Sequence, residues 1–488
     1  MHMTTLRDLE LFLGPVPRGA IVGGELLVGP DTIEVINPAT EDVVAEVSGG
    51  DVDTATRAVS AAQSAMEGWA ARSPRERSDI LRRAFDLMIA RADGLAQLIV
   101  LENGKSLADA RSEVLYAAEF FRWYSEEAVR LSGEVTAAPA GTNRIMVLHQ
   151  PIGVALLITP WNFPAAMATR KLGPALAAGC SVVLKPASET PLTALAIAAL
   201  MADAGVPAGV INVVPSRRSD AVASTLLDDE RVRKLSFTGS TEVGRRLLAH
   251  AARTVVSTAM ELGGNAPFIV FDDADIDSAV AGAMIAKLRN GGSACTAANR
   301  FIVHQSIADT FSAQLARAMS QLAVGPGLDP GTDIGPLINA ATRNKVSSLV
   351  QSALDSGAKA LVGAKAPDRE GYYYLPTVLA SVPHNADILD DEIFGPVAPV
   401  TTFDHLDEAV ALANATEYGL VSYVYTGNLR TGLQVGERLD CGMVGINRPV
   451  VSDPAAPFGG TKQSGLGREG GHEGMLEFTE NKYLAIDW

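Results

Sequence analysis

Between residues 150 and 262 short apolar runs alternate with stretches of helical period. The runs are VALLIT (154–159), SVVLK (181–185), VINVV (210–214), KLSF (234–237) and VVSTAMEL (255–262). The stretches between them carry apolar residues at i, i+3 and i+4, which predicts helices after Pro164 and over 192–204, 220–228 and 241–250. Strands joined by crossover helices predict an α/β fold with an open, doubly wound parallel sheet, whose ligands gather beyond the carboxyl ends of the strands. Residues 54–130 read as long amphipathic helices covering one face. One of them is predicted to run unbroken from Ser73 to Gly104, opened by Ser73 as N-cap, Pro74 at the first position and Glu76 completing a capping box. A second alternation starts at Pro267, with FIVF, a helix over 276–288, FIVH, a helix from Ala308 and strands around Val397 and Val421. A boundary therefore falls near residue 263. RIMVLHQ (144–150) and KYLAIDW (482–488) are strand-like but belong to neither unit, as strands that pair across a subunit interface often do.

At 488 residues the chain is too long for one ordinary core; roughly three domains of about 150 residues are expected. Its 47% hydrophobic and 20% charged residues describe a packed globule. The 56 acidic against 40 basic residues leave a charge of −16, which argues against nucleic acid or an anionic membrane as partner. Three cysteines, Cys180, Cys295 and Cys441, build no disulfide framework and fit a reducing compartment. No basic-then-apolar leader and no run of about 18 apolar residues is present, so a cytoplasmic protein is expected. The Met1-His2-Met3 start carries no weight. Seven scattered histidines give no metal-ligand spacing.

Four features carry candidate chemistry, each with an ordinary structural alternative. FTGSTEVG (237–244) follows a strand and opens a helix, a position suited to a phosphate or simply to a turn. Thr241 stands where a dinucleotide fingerprint has glycine. Cys295 lies in the small-residue loop RNGGSACTAANR and reads as an exposed nucleophile or an inert buried thiol. Cys180, among apolar neighbours, reads as core. Glu261 ends a strand before Gly263-Gly264, as a general base or a solvated turn carboxylate. Lys185 ends another strand, as a cation for a ribose or phosphate or an ordinary surface lysine.

TPWNFP (159–164), KLGPALAAGCSVVLKPASETP (171–191), FTGSTEVG, ELGG (261–264), Cys295, EIFGPV (392–397) and PFGGTKQSGLGRE (457–469) together resemble, in order and spacing, the aldehyde dehydrogenase superfamily over nearly the whole chain. The resemblance implies a Rossmann-type cofactor domain (1–130 and 152–263), an α/β catalytic domain (264–463), and oligomerisation strands with a C-terminal tail (131–151 and 464–488). It implies that the Cys295 thiolate attacks an aldehyde, that Asn162 and the Cys295 N–H hold the oxyanion, and that Glu261 activates water to hydrolyse the thioester. Thr159, Trp161, Lys185, Gly239, Ser240, Glu392 and Phe394 would bind the dinucleotide. Ser188 replaces the glutamate usual in NAD-preferring members, and PSRRSD (215–220) puts Arg217 and Arg218 where a 2′-phosphate could be met. NADP is therefore the expected cofactor, with NAD also accepted. The alternative is that both arginines point to water.

Arg170 and Arg289, with Ser452, Phe163 and Phe458, resemble the substrate tunnel of succinate-semialdehyde dehydrogenases, in which paired arginines clamp a far carboxylate. A buried cation in a tunnel would otherwise lack a partner. The implied reaction is oxidation of succinate semialdehyde; a longer ω-carboxylate aldehyde such as glutarate or 2-oxoglutarate semialdehyde is the nearest alternative. A nucleotide-independent cysteine hydrolase would need a histidine base, and His250 and His304 have no motif support. A non-catalytic protein is disfavoured by the Asn162, Glu261 and Cys295 set. A homodimer or homotetramer is expected. Two departures from the family stand out: Ser293 replaces the glutamine of Gly-Gln-x-Cys, and Ala297 excludes a disulfide with a second cysteine there.

Overall fold

A run with no polar position, such as 154–158, packs only where a sheet is covered on both faces. The computed structural model describes residues 5–29 and 31–487; Met1–Met3 and Trp488, the end of the KYLAIDW stretch, lie outside them. In it Val154–Ile158 is fully buried near the centre of an eight-stranded sheet. Ile211–Val213, Val182–Lys185, Val154–Ile158, Val232–Thr238 and Ser257–Glu261 lie side by side in that order, all parallel. The winding direction reverses between Val154–Ile158 and Val232–Thr238, which opens a crevice at their carboxyl ends. Ala20–Val22 and Glu25–Leu27 extend one edge in antiparallel fashion.

The other edge differs from expectation. Residues 464–488 were assigned to the tail, yet Gly465–Leu466 pairs antiparallel with Met260 and Glu261. The pairing is held by Ser464, whose carbonyl accepts from Leu262 N (2.9 Å) and whose hydroxyl donates to Gly263 O (2.7 Å), satisfying a buried polar side chain. The second sheet has seven strands, ordered Lys359–Val362, Thr377–Ala380, Val397–Phe403, Ala298–His304, Ala266–Val270, Val421–Tyr425 and Met443–Ile446. The two strand-like segments outside both units meet within the chain. Thr479–Ile486 and Arg144–Pro151 pair antiparallel, and Glu134–Ala137 adds a third strand.

The helix opened by Ser73 does carry its capping box, but it ends at Ala90. Arg91, at φ −105° and ψ 13°, breaks it from Ala92–Asn103. The two halves need different environments: the first buries one stripe, whereas nearly every residue of the second is buried, and one straight cylinder cannot do both. Ala92–Asn103 and Leu107–Glu127 also supply what two later helices lack. Pro164–Ala178 and Pro191–Asp203 both begin with proline and have no side-chain N-cap of their own. Glu113 instead accepts from Ala165 N (2.8 Å) and Ala166 N (3.3 Å), and Glu102 accepts from Leu192 N (2.8 Å) and Thr193 N (2.9 Å). A carboxylate at a helix N-terminus satisfies orphan donors and meets the positive end of the dipole.

Removal of the Glu102 carboxylate should therefore unseat the helix that packs the eight-stranded sheet. Glu102→Ala is expected to lower unfolding free energy by about 2 kcal/mol and Glu102→Gln, which keeps one acceptor oxygen, by about half as much, read from urea denaturation at neutral pH.

Candidate active site

The crevice at the winding reversal is a cavity of about 550 Å³. Thr159 and Trp161 reach it from the loop after Val154–Ile158, Lys185 and Ser188 from that after Val182–Lys185, and Gly239 and Ser240 from that after Val232–Thr238. Glu392 and Phe394 reach it from the loop before Val397–Phe403 of the second sheet. Ser240 is the N-cap of Thr241–Ala251, accepting from Val243 N at 3.4 Å. Two polar groups here are under-used. Among the described residues the Thr238 hydroxyl is buried without a partner, and the Lys185 ammonium donates only to Pro186 O at 3.2 Å, its pKa lowered by burial to about 8. Free donors at a helix N-terminus, beside an aromatic pair formed by Trp161 and Phe394 (5.5 Å, edge to face), fit a ligand carrying phosphates, riboses and planar rings. Burial raises Glu392 to about 7, against the opposing hydrogen bond from Gly264 N at 3.1 Å.

The two candidate arginines separate. Arg217 lines a smaller cavity of about 300 Å³ that shares Ser188 and Glu189 with the main cleft. Arg218 does not reach either: its guanidinium turns outward onto Asp31 at 2.9 Å, because the nearest carboxylate lies on that side. Ser188 donates to Ser216 O at 3.0 Å, which puts a neutral hydroxyl at the junction of the two cavities.

Cys295 stands at the inner end of the main cleft, on a loop whose path requires glycine. After Ile276–Leu288 the chain turns through Asn290, Gly291 and Gly292 at φ 56°, 59° and 81°. A Cβ on Gly292 would lie 2.2 Å from Gly395 O, and one on Gly264 would lie 2.5 Å from Cys295 O. The loop is fastened by amides. Asn162 Nδ2 donates to Ser293 O (3.0 Å), and Asn290 Nδ2 donates to Asn162 O (2.7 Å) and Ser293 O (3.0 Å). Ser293, lacking the family's usual amide, donates through its hydroxyl to Phe394 O at 3.3 Å. One N–H of the Asn162 amide and the backbone N–H of Cys295 remain without an acceptor among the described residues.

The resting thiol differs from expectation. The resemblance implies an attacking thiolate, whereas burial pushes the resting thiol up to about 12, an effect that nearby Arg170 and Arg289 oppose and Glu392 and Glu261 reinforce. At neutral pH it is an S–H group. Glu261, at the end of Ser257–Glu261, is buried with Oε2 unpartnered, and burial together with the charge of Glu469 holds it well above the usual carboxylate range.

Beyond the thiol, Arg170 on Pro164–Ala178 and Arg289 at the end of Ile276–Leu288 converge on one ring. Their guanidinium carbons lie 5.7 and 5.3 Å from the Tyr116 ring centre; Arg289 also lies 5.0 Å from the Phe163 ring and Arg170 4.1 Å from Phe458. Arg170 donates to Ser452 Oγ at 3.0 Å. The argument that both cations lack partners holds for Arg289 alone, which has no carboxylate within ion-pair distance among the described residues. Arg170 has Glu469 at 3.6 Å, shared with Lys171 at 2.5 Å. Two guanidiniums and one ammonium against the Glu469 carboxylate leave this end of the site cationic.

Sequence reasoning missed Tyr116, Lys105, Glu113, Asn290 and the Lys171–Glu469 pair. The Lys105 ammonium, fully buried, bonds Glu113 (2.6 Å) and Asn162 O (2.7 Å), so it fixes the backbone that carries the amide. Lys171 and Glu469 lie inside quoted motifs, but spacing gives no sign that they meet. The other cysteines bear no such apparatus: Cys180 is buried with its thiol on Phe478 O, as the apolar context predicts.

A family profile described as "Aldehyde dehydrogenase family" matches residues 28–484. A succinate-semialdehyde dehydrogenase of Paenarthrobacter nicotinovorans is 55% identical over 444 residues, 91% of this chain and 99% of that one. A glutarate-semialdehyde dehydrogenase of Pseudomonas putida is 47% identical over 99% of both chains. The crystal structure of an NADP-dependent enzyme of E. coli superposes with a TM-score of 0.96 at 47% identity, covering 99% of each chain.

The raised thiol has a direct signature. In the nucleotide-free protein the rate of iodoacetamide alkylation at Cys295, followed by peptide mass spectrometry, should climb about tenfold per pH unit from pH 7 to pH 9, because the thiolate fraction grows in that proportion below the pKa. An ordinary thiol would level off above pH 8.5.

Proposed function

The chain belongs to the aldehyde dehydrogenase family, and on that premise we propose that it oxidises succinate semialdehyde to succinate with reduction of NADP, NAD also being accepted, through a thioester on Cys295. The observation that carries the choice of substrate is the convergence of Arg170, Arg289 and Ser452 at one ring beyond the thiol, with no carboxylate within ion-pair distance of Arg289 among the described residues. A cationic, donor-rich end wall suits a carboxylate, which two planar guanidiniums can meet with paired hydrogen bonds. Phe163 and Phe458 line the apolar part between.

Cys295, having given its proton to solvent water, attacks the aldehyde carbon as a thiolate; the sulfur–carbon bond forms as the carbonyl π pair moves onto oxygen. The resulting oxyanion is received by the free N–H of the Asn162 amide and by the Cys295 N–H; losing one such donor typically costs about 10²–10³ in rate. Nucleotide would be held by Thr159, Trp161, Lys185, Gly239, Ser240, Glu392 and Phe394, and when bound it supplies the hydride acceptor that the oxidation needs. Glu261 then takes a proton from the water that cleaves the thioester. Burial makes it a stronger base once ionised, and its free Oε2 is available to that water. Ser188 and Arg217 support NADP, since a neutral hydroxyl and a cation accept a 2′-phosphate that a glutamate would repel. Three unpaired cysteines support a cytoplasmic location. The free edges at Glu134–Ala137 and Thr479–Ile486, with exposed Val135 and Tyr483, support a homodimer or homotetramer.

Initial rates with NADP across succinate semialdehyde, glutarate semialdehyde and butanal test the reading. The four-carbon semialdehyde is expected to give the highest kcat/KM; a higher value for the five-carbon substrate would reassign the enzyme, and parity with butanal would remove the clamp. Arg289→Ala should raise KM for succinate semialdehyde at least about tenfold with a smaller change in kcat, and Cys295→Ala should abolish NADPH formation. For the cofactor, Ser188→Glu is expected to lower the ratio of kcat/KM for NADP over NAD by at least about tenfold, measured by initial rates with each nucleotide.

A further inference from the structure

Residues 390–396, which carry Glu392 and Phe394, lie in neither helix nor strand, between the short turn Asp387–Leu389 and Val397–Phe403. Phe394 is held at φ 57°, a conformation uncommon for a bulky side chain. Such a segment keeps one shape only where its main-chain groups are tied from outside. Two buried amides do this. Asn265 Nδ2 donates to Leu389 O (2.6 Å) and Asp390 O (3.2 Å). Asn299 Nδ2 donates to Asp391 O (2.7 Å), and Asn299 Oδ1 accepts from Ile393 N (3.3 Å). The amides also clasp each other, Asn299 Nδ2 donating to Asn265 Oδ1 at 2.8 Å. Carbonyl oxygens only accept and a backbone N–H only donates, so neither amide can be turned over without setting oxygen against oxygen.

The clasp sits at a telling place. Asn265 precedes Ala266–Val270 and Asn299 lies in Ala298–His304, adjacent parallel strands of the second sheet. Glu261 is four residues before Asn265, and Cys295 is four before Asn299. Arg300 anchors the pair by donating through Nε to Asn265 O at 3.1 Å, its terminal nitrogens being engaged by Leu412 O and Ala413 O at 2.8 Å each. One pair of side chains thus joins the loop of Glu392 to the two stretches that bear base and nucleophile. Neither amide lines the cleft itself. The ring that accepts the hydride has to lie beside Cys295, and Phe394, whose carbonyl is bonded by Ser293, stands at that end, whereas Ser188 marks the other.

We propose that Asn265 and Asn299 are positioning residues for the nicotinamide half of the cofactor: without touching it, they hold Glu392 and Phe394 in register with Cys295 and Glu261, while the adenosine half binds independently of them. The proposal deepens the nucleotide reading above and rests on it.

The test is calorimetric titration of the full-length protein with NADP and with adenosine 2′,5′-bisphosphate, which lacks the nicotinamide half, in wild type, Asn299→Ala, Glu392→Ala and the double variant. Asn299→Ala is expected to weaken NADP at least about tenfold and to leave the bisphosphate within about twofold, because only one end of the cleft is loosened. A lesion spread through the fold would weaken both ligands alike. Since Asn299 acts through Glu392 and its loop, the loss in the double variant should fall short of the product of the two single losses. NADP binding unchanged in Asn299→Ala, equal weakening of the two ligands, or losses that multiply would each overturn the proposal. Asn265→Ala, which releases Leu389 O and Asp390 O, carries the same expectations and decides the matter should Asn299→Ala not fold. Failure of the nucleotide reading looks different: wild type would then bind neither ligand, or Glu392→Ala by itself would leave NADP binding as it was.

Discussion

A sulfur that must meet groups from two sheets has to sit where their loops touch, and backbone there has to approach backbone more closely than side chains allow. That constraint governs the site. Cys295 follows three consecutive residues in left-handed conformation, and its loop lies against Gly264 on one side and Gly395 on the other, where a single methyl group would collide with a carbonyl oxygen. The loop has little freedom left. Asn162, Asn290 and Lys105 fasten it by hydrogen bonds to main-chain oxygens, so amide and thiol keep a fixed relation without touching each other.

Charge is handled in the same economical way. Glu113 neutralises Lys105 and caps a helix; Glu469 meets Lys171 and Arg170. Removing one member of such a buried set leaves an uncompensated ion, which is why these groups act as units. Arg289 has no carboxylate within ion-pair distance among the described residues, at a spot where an anion could complete it. Burial likewise favours the protonated forms of the thiol and of the Glu261 carboxyl, and at Glu261 the charge of Glu469 adds to that push.

Much of this was legible in the sequence because it depends on local pattern. Apolar runs marked the parallel strands, the ends of those runs marked Lys185 and Glu261, and the small-residue loop marked Cys295. What was illegible depends on distance across the fold. Tyr116 and Ser452 are 336 positions apart and Lys171 and Glu469 298, and nothing in either neighbourhood announces the other. Arg218 looked equivalent to Arg217 because adjacent residues share a sequence context, and only the placement of Asp31 separates them. The break at Arg91 escaped because both flanking helices have good apolar content; the switch from one buried stripe to burial all round is a property of what packs against them.

The edge strand Gly465–Leu466 has a consequence for how the molecule comes into being. The nucleotide-side sheet is otherwise built from strands within residues 20–261, yet its border is finished by a strand that follows some two hundred residues later. During synthesis the strand bearing Glu261 emerges with one flank bare and stays so while some two hundred further residues are made, a period in which it can pair with another nascent chain. Closure of that border thus waits on Gly465–Leu466, and a chain cut short of that strand leaves the flank of Ser257–Glu261 unsealed.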